Sequence, residues 1–168
     1  MAKGRNNKKQ NNGYFARNTQ QFGNDFLLKK TAKDIQFDLP HICRDIAHSD
    51  PELGIPKMVK YFMNMTFVMN LSQAAYAMFC KHNATFIGLQ MYINNAQTTG
   101  QYIDPSMQIS ENMIAAQHIA MAYQVVCTYL NNIVSLFNMS ADEDWLRVNI
   151  ESNLKSMSVQ LSKYKRVL

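Results

Sequence analysis

The feature that most restricts the fold of this chain is a long stretch of sequence with almost no charge. Residues 61–141 hold only three charged side chains, Lys81, Asp104 and Glu111. The stretch is rich instead in apolar residues and in uncharged polar ones such as Asn, Gln, Ser and Thr. A helix at the surface of a soluble monomer normally covers its outer face with charged side chains. The sequence therefore predicts surfaces here that face other protein rather than bulk water.

Apolar residues in this part of the chain recur at alternating steps of four and three, which is typical of helices packed against near-parallel neighbours. One series predicts a helix over residues 57–81, and a longer one predicts a helix over residues 105–138 that Asp104 and Pro105 open. The predicted seams are Met58, Phe62, Met65, Met69, Ser72, Tyr76 and Phe79, then Ile109, Met113, Ala116, Ala120, Tyr123, Cys127, Leu130, Val134 and Phe137. We expect these two long helices to lie antiparallel.

Weaker patterns predict the remaining elements. Thr31, with Asp34 three residues later, is expected to open a short helix, and Asp38 is expected to cap the next one. Ser140–Glu143 forms a capping box for a last helix that ends near Arg166. Residues 84–97 fit either a helix or a strand, and we favour a helix because a single strand would have no partner. The sequence thus predicts an all-α bundle of four or five helices, forming one domain over residues 25–168.

The N-terminal segment, residues 1–24, differs sharply in composition. It contains five Lys or Arg, six Asn, no acid and no Val, Ile or Leu. Such a segment buries too little apolar area to order itself, so alone it is expected to be disordered. It combines phosphate-pairing charge with rings that could stack on bases. The residues predicted to contact nucleic acid or a partner are Lys3, Arg5, Lys8, Lys9, Tyr14, Phe15 and Arg17. The alternative is a solubilising tail or a tail that docks on an acidic protein.

No pattern in the sequence is typical of an active site or a metal centre. Neither the pair His41 and His48 nor the pair Cys80 and His82 has the spacing of a metal-binding cluster. Glycine-rich phosphate-binding loops and the common nucleophile motifs are absent as well. We therefore expect no catalytic residue, no metal and no cofactor, and a protein that is not an enzyme.

Cysteine usage and the N-terminus bear on localisation. The chain has an odd number of cysteines, Cys43, Cys80 and Cys127, which are widely spaced and lie in apolar sequence predicted to be helical. This pattern indicates free thiols in a reducing compartment. No apolar stretch follows the basic N-terminal residues, so no secretory signal is expected. These observations predict a cytoplasmic or virion-associated protein that is not secreted.

Residues 61–80 form an uncharged run of the length needed to cross a membrane. The run includes polar residues that hydrocarbon disfavours, namely Asn64, Thr66, Asn70, Ser72 and Gln73. The mean hydropathy of the chain is −0.27, which also argues against several membrane spans. We therefore expect no contact with a membrane.

Two functions fit these features. The first is a structural subunit of a larger particle, favoured as a virion- or phage-like component, which packs on copies of itself or on other proteins. Its basic N-terminal segment would contact neighbouring subunits or packaged nucleic acid. The second is a freestanding, sequence-independent nucleic-acid-binding protein of a replication or packaging system. That protein would add the C-terminal bases Lys155, Lys163, Lys165 and Arg166 to those of the N-terminal segment.

Overall fold

The structure, a computed structural model, describes residues 13–15 and 27–168, and within them it contains five α-helices and no strand. The helices are α1 Ala32–His48, α2 Gly54–Phe62, α3 Met65–Thr99, α4 Ile109–Met139 and α5 Glu143–Leu161. Single 3-10 turns lie at Leu27–Lys29, Pro105–Met107 and Ser162–Tyr164. The predicted all-α bundle with two long antiparallel helices is therefore confirmed. The predicted domain boundary between residues 24 and 25 lies outside the described residues.

Side-chain caps fix where the helices begin. The Thr31 hydroxyl accepts a hydrogen bond from the Asp34 backbone N–H, so the helix start predicted at Thr31 is confirmed and α1 begins at Ala32. The separate cap predicted at Asp38 is wrong. Asp38 instead lies inside α1 and forms an ion pair with the Lys30 ammonium. At α5 the Asp142 carboxylate accepts from the Trp145 N–H at 2.6 Å, two residues after the predicted capping position.

The course of α3 differs from the two helices predicted for this region. The Asn64 side chain accepts the Phe67 N–H at 2.9 Å, so a new helix begins directly after α2 ends. The break predicted near Asn83 is wrong, since α3 continues through it to a left-handed C-cap at Gly100. Residues 84–97 are helix, as we favoured.

The buried core lies where α1, α2 and α5 pack around the adjoining halves of α3 and α4, a part of the molecule that we call the body. α3 packs mainly against α4 and α1, and α5 packs against α4, α1 and α2. The largest fully buried side chains include Phe62, Phe67, Leu71, Leu130, Ile133 and Ile150. Burial of one such side chain contributes about 1.5–3 kcal/mol, so the body holds most of the folding free energy.

The two predicted seams have different outcomes. Four residues of the seam predicted for α4 are buried, namely Ala116, Ala120, Tyr123 and Leu130, and the other buried residues of α4 are Ala122, Val126 and Ile133. The seam predicted for the earlier helix is wrong at Met65, Met69 and Tyr76, which are exposed. The residues buried in their place are Phe67, Val68, Leu71, Ala74 and Ala75. Both rows are apolar at helical spacing, so periodicity alone does not decide which one faces the core.

Candidate interaction surfaces

Beyond the body, α3 and α4 continue as a two-helix projection, residues 84–118, that we call the distal hairpin. It extends about 24 Å, because α3 adds 16 residues at about 1.5 Å each after residue 83. Only two of its side chains, Ala96 and Ala116, are buried. The main core cluster contains no buried residue from sequence positions 76–121. Below the distal hairpin, the His82 ring stacks on Tyr123 with centroids 5.9 Å apart. The distal hairpin is therefore attached to the body at one end and has almost no core of its own.

The surface of the distal hairpin is nearly uncharged and combines uncharged polar side chains with several exposed apolar ones. Its only acids are Asp104 and Glu111, and it has no Lys or Arg. Its exposed large apolar side chains are Ile87, Met91, Tyr92, Tyr102, Met107 and Ile114. Among the described residues its side-chain hydrogen bonds are local, such as Thr98 Oγ1 to the Asn94 carbonyl at 2.9 Å. The lack of charge in the sequence predicted a surface of this kind, but composition alone does not say which residues form it.

Two residues of the predicted N-terminal contact set lie in the core. Tyr14 and Phe15 are 7% and 6% exposed. The Phe15 ring lies 5.1 Å from the Tyr61 ring, and the Phe15 N–H donates to Asp45 Oδ2 at 3.0 Å. This burial argues against the predicted role of the two rings in base stacking, because their faces already contact protein.

The other five residues of that set, Lys3, Arg5, Lys8, Lys9 and Arg17, lie outside the described residues. The C-terminal bases are only partly open to a partner. The Lys155 ammonium lies 3.0 Å from Glu151 and 3.6 Å from Glu52, so neighbouring carboxylates offset its charge. Lys163 donates to the Gln160 side chain at 2.7 Å, and Lys165 and Arg166 are exposed.

A shallow open depression of about 470 Å³ lies beside the start of α1, lined by Lys29, Lys30, Asp34, Phe37 and Asp38. A hydrogen bond from the Thr31 hydroxyl holds the pKa of Asp34 below its usual range. The Lys30–Asp38 ion pair occupies two of the charged groups. The depression therefore combines both signs of charge with one exposed ring, and it does not form a pocket selective for one ligand charge.

Burial shifts the pKa of several titratable groups in the body. Burial raises the pKa of the Cys43 thiol strongly and that of Cys127 to about 11, so neither is a thiolate near neutral pH. Burial likewise raises the pKa of Tyr123, and it lowers the pKa of His82. Glu111 and His118, the two titratable residues in the distal part of α4, are both exposed. Within the described residues no three His, Cys, Asp or Glu side chains are close enough to hold a metal ion.

The uncharged run at residues 61–80 is not one continuous helix, because a turn at Met63 and Asn64 separates α2 from α3. By length and composition alone, one segment of the described chain, Pro105–Met139, could cross a membrane, and 33% of its most apolar window is buried. The central helix of a soluble bundle has the same properties, so this is weak support for a membrane span. Comparison of the chain with known protein families, with characterised proteins and with solved structures finds no match.

Proposed function

We propose that this protein is a non-catalytic structural subunit of a larger assembly, and that the distal hairpin is one of its contacts with neighbouring subunits. The single observation that carries the proposal is the burial pattern of the hairpin, in which only Ala96 and Ala116 are buried among residues 84–118. A helix is stable in water chiefly because its apolar stripe packs against other elements. Here each of the two helices has one fully buried side chain, and further apolar side chains remain in water.

The near absence of charge supports the same proposal. Monomeric proteins rarely expose large contiguous apolar patches, and such patches usually mark contacts with other molecules. The distal hairpin carries two acids and no Lys or Arg. It therefore lacks the net charge that keeps separate protein molecules from associating. The proposed partner surface is therefore protein, either copies of this chain or another subunit.

The basic N-terminal segment would supply a second contact. Gly13–Phe15 dock on the body beside Asp45, so residues 1–12 would start from a fixed place on the subunit. From there the four bases Lys3, Arg5, Lys8 and Lys9 would reach a neighbouring subunit or packaged nucleic acid. An uncharged assembly surface together with a basic segment favours a virion- or phage-like particle, with the protein in the cytoplasm or in the particle.

The test is the mass of the pure protein in solution, measured by light scattering at low and high salt while absorbance is recorded at 260 and 280 nm. We expect a mass above that of the 19.3 kDa chain that persists at high salt, because apolar contacts are not screened by ions. Any nucleic acid bound by the basic segment would be lost at high salt. A monomer at micromolar concentration in both salts would contradict the proposal.

A shortened variant identifies the contact. Residues 84–118 contribute no buried side chain to the main core cluster, so replacing them by a tight turn leaves that core intact. We expect this variant to unfold cooperatively like the full chain but to remain monomeric. A shortened variant that assembles as the full chain does would show that the contact lies elsewhere.

The second candidate is a freestanding nucleic-acid-binding protein, favoured by the exposed bases Lys165 and Arg166 near the end of α5. Its test is deletion of residues 2–12, which keeps the core residues Tyr14 and Phe15. This function predicts steeply salt-dependent binding to nucleic acid that the deletion weakens, because the deletion removes four of the bases. Binding that the deletion leaves unchanged would count against it.

A further inference from the structure

An exposed apolar line runs along the side of α3 that faces away from the core. Its members are Met69, Tyr76, Cys80, Ile87 and Met91, spaced by seven, four, seven and four residues. All five are exposed, Tyr76 to 63% and Met91 to 66%. Gln73 and Ala84, also exposed, complete a series with steps of four, three, four, four, three and four, which is an 11-residue repeat. This spacing places the residues on one face of the helix, as in the contact seam of a coiled coil.

The side chains along this line carry no charge. The Cys80 side chain lies one helical turn from Tyr76 and raises the pKa of the Tyr76 hydroxyl. The single charged residue of α3 is Lys81, and it lies on the flank of the line. A nucleic acid or a strongly charged protein would find no complementary charge here, whereas a second uncharged surface would meet no repulsion.

We infer that this line is the contact for a second copy of this chain, with the two α3 helices packed antiparallel about a two-fold axis at Cys80. The inference rests on the proposed function and names the partner of one of its surfaces. A two-fold contact uses the same patch on both copies, so the patch must complement itself.

The sequence of α3 meets that requirement. An axis at Cys80 brings together residues whose numbers sum to 160, so Met69 lies opposite Met91 and Cys80 opposite itself. The largest side chain of the line, Tyr76, then lies opposite the smallest, Ala84. Because α3 runs from Met65 to Thr99, residues 65–95 overlap, which is nearly the whole helix.

Antiparallel packing also gives the distal hairpin the apolar neighbours that it lacks in the single chain. In this arrangement the distal hairpin of each copy lies beside the body of its partner. In a parallel arrangement the two bodies would lie side by side, and each distal hairpin would lie beside the other hairpin rather than beside a body.

The overlap of 31 residues is about 46 Å long and about 10 Å wide. This strip gives on the order of 450 Å² of flat contact from each copy, at the low end of specific interfaces. We therefore expect a reversible dimer at micromolar concentration. Such a dimer would be a step towards an assembly rather than a permanent pair.

Oxidative cross-linking of the full chain tests the axis, because Cys43 is buried and Cys127 is half-buried in the α3–α4 contact while Cys80 is exposed. We expect mild oxidation to yield a covalent dimer, and Cys80→Ser to abolish it. In the Cys80→Ser background, a mixture of Met69→Cys and Met91→Cys chains should cross-link to each other. Met91→Cys chains that link to themselves would indicate parallel packing and would overturn the inference.

Sedimentation of Met91→Glu against Gln90→Glu tests the line itself. The two residues are adjacent and exposed, and they acquire the same charge, but only Met91 lies on the line. We expect Met91→Glu to weaken dimerisation at least about tenfold, since it brings charge into an apolar contact, and Gln90→Glu to change it less than about twofold. Circular dichroism should show both variants as helical as the parent chain.

The outcomes separate this inference from the proposed function. An assembly that persists in Met91→Glu with no Cys80 cross-link overturns the α3 pairing and leaves the structural subunit intact. A chain that is monomeric and unlinked at every concentration overturns both. Monomers that bind neutral lipid vesicles through Met91 also overturn both, because a membrane would then occupy the line.

Discussion

At the scale of single residues, the main departure from the sequence prediction concerns Tyr14 and Phe15. A polar, basic segment with two adjacent rings resembles a nucleic-acid contact, because local sequence carries no sign of a distant partner. The partner of the Phe15 N–H is Asp45, thirty residues later, and the neighbouring rings come from Tyr61 and Phe62. Such long-range packing has no periodic signal, so the sequence could not predict it. The absence of charge in the middle of the chain, by contrast, is visible in composition alone.

Replacement of Phe15 by alanine measures this docking. Removing a buried aromatic side chain typically costs about 3–5 kcal/mol, so we expect Phe15→Ala to lower the free energy of unfolding by about 3 kcal/mol. Phe37→Ala is the matched control, because Phe37 is 79% exposed and should change stability by less than about 0.5 kcal/mol. Chemical denaturation gives both values. Equal, small effects from the two substitutions would mean that the segment does not stabilise the body.

At the scale of elements, the sequence predicted what periodicity and capping determine. The seam of α4 was predictable because one apolar series stands out clearly. The face of α3 was not, because Met65, Met69 and Tyr76 form a series as regular as the buried one. The continuity of α3 through Asn83 was missed for a related reason, since a residue that often ends helices is tolerated inside a long one.

Two glycines of α3 allow a matched test of helix stability. Gly88 lies in the helix interior, and a Cβ added there would meet no atom within 4 Å, so Gly88→Ala should stabilise the distal hairpin by about 0.5–1 kcal/mol. Gly100 has φ 68° at the C-cap, so Gly100→Ala should destabilise it by about 1 kcal/mol. The free energy of opening, measured by amide hydrogen exchange in α3, reports both. Effects of the same sign would contradict this assignment of the helix end.

At the scale of the whole molecule, the chain divides into a body with a core and a distal hairpin almost without one. Sequence composition predicted an uncharged surface that would face other protein, but it did not predict that this surface would lie on a hairpin that projects from the body. The projection follows from lengths, because α3 and α4 are 35 and 31 residues long while α1 and α5 have 17 and 19. The shorter helices cover only one end of the long pair.

This division predicts a gradient of local stability. Regions with few buried apolar contacts open at lower free energy than the global unfolding transition. Amides of residues 84–99 in α3 should therefore exchange faster than those of Leu146–Leu161 in α5, as measured by hydrogen exchange at low protein concentration. The difference should shrink as concentration rises and the distal hairpin gains a neighbour. Uniform protection at low concentration would contradict the division.

The stack of His82 on Tyr123, at the base of the distal hairpin, has a mechanical consequence. A rigid projection about 24 Å long acts as a lever, so a rotation of about 5° at its base moves its tip by about 2 Å. Small repacking near this stack is thereby magnified at Tyr102, which lies at the tip and is 81% exposed. Under the proposed function, the same subunit would thus meet neighbours in slightly different positions while its body stays unchanged.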